Sequence, residues 1–441
     1  MTIEGGYLFL LWIAVTVTNL AIIRDIAAPQ LMFCASLGVF FSDIFFSEYD
    51  IYVYGIYLIS LLIVTISSFA INQGIPFPWA RLAAKGVNFK HNMQSSQDFI
   101  PVAHGLLWIA SLPALAAMVY MIWMFGGLAS FLIAAKHGTK YFHGLGPLKT
   151  VVATFYPISL YYFALLITRQ RPKKENVLFY VHFLLLVVLA LLSLSRGTLL
   201  THLVAMGLIW HYSRTRFSIT FIVVGLISLM SVASIYGVVR ETVSYQDGVF
   251  SLGLNQSGDE NTGIYKKEWM HAGTWPLQVV LDSPSVDKHW GLTYATVITN
   301  FVPRKIWPGK PAPGGVVFTN EYAPGFYDEY SHFASGLYPE AIMNFGKSMG
   351  IIFASAQLVV ICFLLSKFYR RMMIKMHSAG RTRKSILELV MYTYIIWGSA
   401  ILFVGEFTSV VIGVIIKILV LISLYYFTRL KLSLGRPIVT V

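Results

Sequence analysis

The stretch "FVPRKIWPGKP", residues 301–311, crowds three cations onto a backbone stiffened by proline. Proline fixes φ at about −65°, so Arg304, Lys305 and Lys310 leave a chain with little freedom. A guanidinium meets phosphate or carboxylate through paired hydrogen bonds, whereas an ammonium acts as a point charge. The chemistry such a loop offers is anion binding, with Arg304 as the bidentate ligand and Lys305 and Lys310 adding charge.

Two further arginines stand where apolar runs end. Arg196, in "LSLSRGTLL", falls at a tight turn between two runs, with Gly197 beside it to let the backbone reverse. Arg240, in "YGVVRETVS", leaves the next apolar run. Charged residues at such places are rare enough to be functional candidates, although an arginine at a membrane interface also snorkels without other purpose.

Proton transfer needs a different group. The segment "EYAPGFYDEYSHFASGLYPEAIMNFGKSMG", residues 321–350, gathers Glu321, Asp328, Glu329, His332 and Glu340. His332 and Glu340 are the candidate bases, since imidazole or carboxylate can take a proton from a hydroxyl held near the basic loop. Glu340 also precedes an apolar run, where a carboxylate at a helix N-terminus is favoured by the dipole. Asp328 and Glu329 read as solvated loop charges. Lys417, deep in the last apolar run, needs a partner such as Glu406 or Glu388. His104, His182 and His202 are isolated and read as core histidines. Cys34 and Cys362 lie in apolar runs and predict neither a disulfide framework nor a metal cluster. No P-loop, GxSxG elbow or DxD-like pair is present, and no metal or other cofactor is expected.

The elements that position these residues are membrane helices. Of 441 residues, 56% are hydrophobic and 12% charged, where a soluble protein carries about a quarter charged. Apolar runs about 18–22 residues long recur throughout, enough to cross a hydrocarbon core of about 30 Å. They predict an all-α polytopic membrane protein of about eleven spans, at 6–23, 26–42, 51–71, 101–125, 148–168, 177–195, 198–212, 218–239, 349–366, 386–405 and 408–427. The residues before the first run carry no Lys or Arg, so it reads as a retained helix rather than a signal peptide.

The net charge of +13 lies mostly in short loops at 169–176, 213–217 and 367–384, in the segment of Arg81, Lys85 and Lys90, and in the tail from Arg429. Topology explains that placement without nucleic acid, and the positive-inside rule makes this side cytoplasmic, with the N-terminus outside. Three regions result: a bundle at 1–239, a large outward loop at 240–348, and terminal helices at 349–441. Residues 126–147 predict an interfacial helix. Within the large loop, 265–283 predicts a helix that Pro276 bends or ends.

"SLSRG" (193–197), "GLTYATVITNFVPRKIWPGKP" (291–311) and "GLYPEAIMNFGKSMG" (336–350), with one large outward loop among many spans, resemble the Wzy-type O-antigen and exopolysaccharide repeat-unit polymerases. The resemblance implies a glycosyltransferase of C-type helical architecture, related to O-antigen ligases. It would use undecaprenyl diphosphate-linked oligosaccharides at the periplasmic face of the bacterial inner membrane. Arg196 and Arg304 match the family arginines thought to hold the diphosphate; Arg240 matches less clearly. In that reaction a hydroxyl of one lipid-linked repeat attacks the growing glycan on another lipid, His332 or Glu340 takes the proton, and no metal or cofactor takes part. A Wzz-type chain-length regulator is implied as a partner. The rival readings are an O-antigen ligase with lipid A core as acceptor and a lipid-linked oligosaccharide flippase.

Overall fold

The computed structural model describes residues 3–72 (except 24 and 26), 104–136, 141–168 (except 143), 176–193, 196–214, 243–246, 249–252, 272–283, 288–302, 306–324, 333–378 and 382–434, with single positions between 217 and 231. These form α1 (Ile3–Ile23), α2 (Pro29–Phe40), α3 (Ile51–Asn72), α4 (His104–Met124), α5 (Leu128–Lys136), α6 (Gly146–Ala153), α7 (Phe155–Ile167), α8 (Asn176–Leu192) and α9 (Arg196–Ser213). A short antiparallel hairpin follows, β1 (Val243–Gln246) with β2 (Val249–Leu252), in the register Val243 opposite Leu252. Then come α10 (Thr274–Asp282), α11 (Leu292–Thr299), α12 (Gly314–Glu321), α13 (Leu337–Phe345), α14 (Lys347–Ser378), α15 (Arg383–Ile401) and α16 (Phe407–Leu434).

Among the described residues, six helical stretches are long and apolar enough to cross a membrane: Ile3–Ile23, Ile51–Ser68, His104–Met124, Gly146–Ile167, Lys347–Met376 and Phe407–Arg429. The chain is an α-helical, multi-pass membrane protein. One expected span and one expected loop take a different form. The run at 26–42 yields only α2, twelve residues and so about 18 Å long, short of the apolar core; Pro29 opens it as first helical residue. The basic segment from 367, expected as a loop, continues α14 as helix to Ser378. The run at 218–239 lies largely outside the described residues, as do Arg81, Lys85 and Lys90.

The chain forms two compact units, each assembled from three stretches. In the unit of residues 1–95, 259–374 and 395–415, α1 packs on α2 and α3, and α10 joins α3 to α13. Its core is aromatic: Phe41 meets Tyr57 and Phe403, and Phe45 meets Phe9 and Tyr57. Trp12 donates its indole N–H to the carbonyl of Cys34 at 2.8 Å, fixing α1 on α2.

In the unit of residues 96–258, 375–394 and 416–441, α4 packs on α6 and α7, and α7 on α8 and α9. His182 sits between the hydroxyls of Ser111 and Ser159 at 2.8 and 3.0 Å and stacks on Phe155. His202 stacks on Tyr156, so it and His182 are core side chains, while His104 is half-buried and bonds Tyr162. Lys417 lies over the ring of Tyr394, its ammonium 5.1 Å from the centroid, while Glu388 pairs with Lys375. An aromatic face therefore serves the half-buried lysine where a carboxylate was expected.

The region 272–346 is a set of short helices, α10 to α13. Pro276 lies in the first turn of α10 and Pro339 in the first turn of α13. A missing N–H costs nothing there, because the first N–H groups of a helix have no internal partner. Pro276 therefore starts a helix rather than ending one, and 265–271, where that helix was expected to begin, lie outside the described residues. Residues 128–136 form the helix expected within 126–147.

Candidate functional site

Four short elements of the first unit converge on one buried carboxylate. Gly336 enters α13 with φ +82°, and a Cβ there would stand 2.5 Å from the carbonyl oxygen of Phe403, so only glycine fits. One turn later comes Glu340, with no exposed surface. Its Oε1 accepts from the hydroxyl of Thr293 on α11 at 2.8 Å, and its Oε2 accepts from the N–H of Phe407, the first residue of α16, at 2.9 Å. The dipole that Glu340 serves is thus that of α16, reached through space, rather than that of the apolar helix following it in sequence.

A second carboxylate completes the arrangement. Glu406, also buried, precedes α16; its Oε1 accepts from Ser409 at 2.8 Å and its Oε2 from the N–H of Gly315 in the first turn of α12 at 3.0 Å. Each carboxylate so satisfies an orphan N–H of another helix. Gly314 makes room for this: a Cβ on it would lie 2.6 Å from the carboxyl carbon of Glu340.

Asn344, one turn below Glu340, ties in α11. Its amide donates to Thr293 Oγ1 and to the carbonyl of Glu340, both at 2.7 Å, and its oxygen accepts from Gly291 N–H at 2.9 Å. The backbone N–H groups of His289 and Trp290 bond the carbonyls of Met343 and Asn344. Thr408 reaches the carbonyl of Thr293 at 3.2 Å, and Thr296 bonds both. The segments 289–300 and 336–346 are in this way one structural piece.

Burial drives the Glu340 carboxyl up from its ordinary 4.5 to about 7. The Phe407 N–H and the Thr293 hydroxyl pull the other way, and the neighbouring charge of Glu406 pushes further up. Burial, with the Glu340 charge in support, also raises the Tyr294 hydroxyl.

Glu340 therefore titrates near neutrality, yet both its oxygens are engaged and no surface is open to a ligand. A base must come within hydrogen-bond reach of the proton it takes. In this structure Glu340 organises helix ends, its two oxygens taken by Thr293 and Phe407. A pair open to solvent lies elsewhere in the same unit: His289 Nε2 and Glu321 Oε2 are 2.8 Å apart, both partly exposed. A carboxylate on one ring nitrogen orients the imidazole and leaves Nδ1 to accept a proton.

Lys310 turns inward. Its ammonium donates to the carbonyl of Val302 at 2.9 Å, drawing together the two ends of the basic loop. The side chains flanking that loop are apolar and open: Phe301, Ile306 and Trp307 are all exposed, as is Ile298 on α11. Arg304, Lys305 and His332 lie outside the described residues, as do Asp328 and Glu329. In the second unit, Arg196 is the first residue of α9 and its side chain is outside the described set; Arg240 is outside it altogether. Gly197 falls in the first turn of α9 rather than in the reversal before it.

Glu406, Thr293, Asn344 and His289 were not singled out as site residues from sequence. Glu406 stood only as a partner for Lys417. Its signal is a lone acid in an otherwise apolar reversal, "LFVGEFTSV", directly before a span. The chain matches no family model, no curated protein and no solved structure.

Proposed function

We propose that the chain is a membrane glycosyltransferase that polymerises lipid diphosphate-linked oligosaccharide repeats. The observation that carries this reading is the setting of the basic loop. Residues 303–305, Pro-Arg-Lys, are bracketed by exposed Phe301, Ile306 and Trp307 and closed by the Lys310–Val302 bond. Aromatic and aliphatic side chains on either side of cations in the sequence suit a ligand that is both a lipid and an anion. A diphosphate on a polyprenyl chain has that chemistry.

In this reading Arg304 and Lys305 hold the diphosphate, and Lys310 braces the loop that carries them. Positive charge fixed before the reaction stabilises the negative charge that builds on the leaving diphosphate, an effect worth several kcal/mol in a poorly hydrated site. The proton of the acceptor hydroxyl goes to an imidazole, His289 oriented by Glu321 or His332 in the adjoining segment. Glu340, Glu406, Thr293 and Asn344 hold these segments in register. The finer architecture belongs to the same proposal: about eleven spans in a C-type arrangement in the bacterial inner membrane, N-terminus outside, with a chain-length regulator as partner.

The test is a gel of surface glycolipid from cells lacking the gene, complemented with wild type or Arg304→Ala. Core bearing one repeat unit, restored to a ladder by wild type and not by Arg304→Ala, is the expected result. Bare core in the deletion would transfer the reading to ligase or flippase, and an unchanged ladder together with unchanged secreted polysaccharide would overturn it.

A further inference from the structure

A groove of about 460 Å³ runs between α3 and α14, shares no lining residue with the carboxylate cluster, and is lined on α14 by one helical stripe. Val359, Phe363, Ser366 and Arg370 follow at steps of four, three and four, and Lys367 lies four residues after Phe363, so they share a face. The opposite wall is Ile63, Ile66 and Ser67 of α3. The floor comes from α2: Gln30, fully buried, donates to Ser366 at 2.7 Å and to Ser67 at 3.4 Å, which fixes the spacing of the two walls.

The character of the groove changes along its length. Phe363, Val359 and Ile66 are exposed apolar side chains in the span of α14 and α3. Lys367 and Arg370 follow directly on the apolar run of α14 that ends near residue 366. Among the described residues neither is paired with a carboxylate.

We propose that this groove binds one anionic phospholipid, its acyl chain along Ile63, Ile66, Val359 and Phe363 and its headgroup phosphate on Lys367 and Arg370. Inside a bilayer an acyl chain gains little from an apolar wall that it would not gain from other lipid. Selectivity must then come from the headgroup, and two cations at the mouth of an interhelical groove supply it. Cations that merely snorkel would show no preference for what fills the groove beneath them. Lys367 and Arg370 open the basic stretch that the positive-inside rule sets in the cytoplasm, so the lipid belongs to that leaflet. The inference does not depend on the glycosyl-transfer reading.

The experiment is native mass spectrometry of the full chain, delipidated in a neutral detergent and titrated with phosphatidylglycerol, phosphatidylcholine, a polyprenyl phosphate or inorganic phosphate. Thermal unfolding is followed in parallel. Wild type is expected to retain one phosphatidylglycerol in preference to the others. The Lys367→Gln, Arg370→Gln double variant should retain it about 30-fold less well, the loss of two headgroup cations. Ile66→Trp fills the groove, keeps both cations, and should lose the same lipid while its lipid-free unfolding temperature stays unchanged. Equal retention of phosphatidylcholine, preference for the polyprenyl phosphate, protection by inorganic phosphate alone, or wild-type retention by either variant would each overturn the proposal.

Discussion

Phe407 donates its backbone N–H to Glu340 Oε2 at 2.9 Å across 67 residues of chain. One bond thus attaches the short helix α13 to the first residue of a membrane helix. Glu340→Ala removes the acceptor for Phe407 and the partner of Thr293 together, and opens a cavity at a fully buried position. Unsatisfied buried donors cost about 1–3 kcal/mol each. The variant is therefore expected to lose about 3 kcal/mol or more. Glu340→Gln keeps one acceptor oxygen and should lose about half as much. Denaturant unfolding in detergent measures both, and wild-type stability in Glu340→Ala would refute the organising role.

The raised pKa of Glu340 gives the stability a pH dependence of definite sign. Between 4.5 and about 7 the folded protein binds more protons at this site than the unfolded chain does. Stability is then full below the lower value and falls as pH rises toward the upper one. A shift of this size corresponds to about 3 kcal/mol. The unfolding temperature of wild type should drop across that window and level off above it. Glu340→Gln, which cannot titrate, should show a flatter profile, and equal slopes in the two proteins would assign the effect to other groups.

What the sequence made legible follows from which interactions are local. A span is declared by its own apolar run, and α1, α3, α4 and the pair α6–α7 appear where hydropathy set them. The short helices α10 to α13 declare themselves poorly, because eight or nine residues with internal glycine and proline carry little propensity and owe their form to packing. Pro276 looked like a stop because the residues that start its helix, Thr274 and Trp275, were read as its middle. Glu340 was legible as a carboxylate at a helix end, but not the helix: α16 is brought to it by tertiary structure. Glu406 was illegible as a cap because its acceptor role depends on Gly315, 91 residues away.

Gly336 is the entry point of the whole cluster, and its replacement is informative. Its φ of +82° is disfavoured for any residue with a Cβ, and the Cβ would also meet the Phe403 carbonyl oxygen at 2.5 Å, which is backbone and cannot swing away. Gly336→Ala should cost about 2–4 kcal/mol from strain and overpacking together. Thermal unfolding in detergent reads the loss. Since α13 carries both Glu340 and Asn344, polymer formation should fall with it even at temperatures where the protein stays folded. A variant with normal unfolding temperature would show that the bend at 336 is not required.

Lys310 separates bracing from charge in the basic loop. Its ammonium is spent in part on Val302, 2.9 Å away, so its contribution should survive loss of charge where a donor remains. Lys310→Met removes the bond and frees the loop ends, and polymer formation should fall about fivefold, the equivalent of one hydrogen bond of about 1 kcal/mol. Lys310→Gln keeps an amide donor on a shorter arm and should fall less. In the glycosyl-transfer reading Arg304→Ala removes the proposed diphosphate ligand itself and should abolish the ladder. If Lys310→Gln and Lys310→Met fail equally, the charge of Lys310 reaches the anion directly, and the lysine belongs with Arg304 as a ligand rather than with Val302 as a brace.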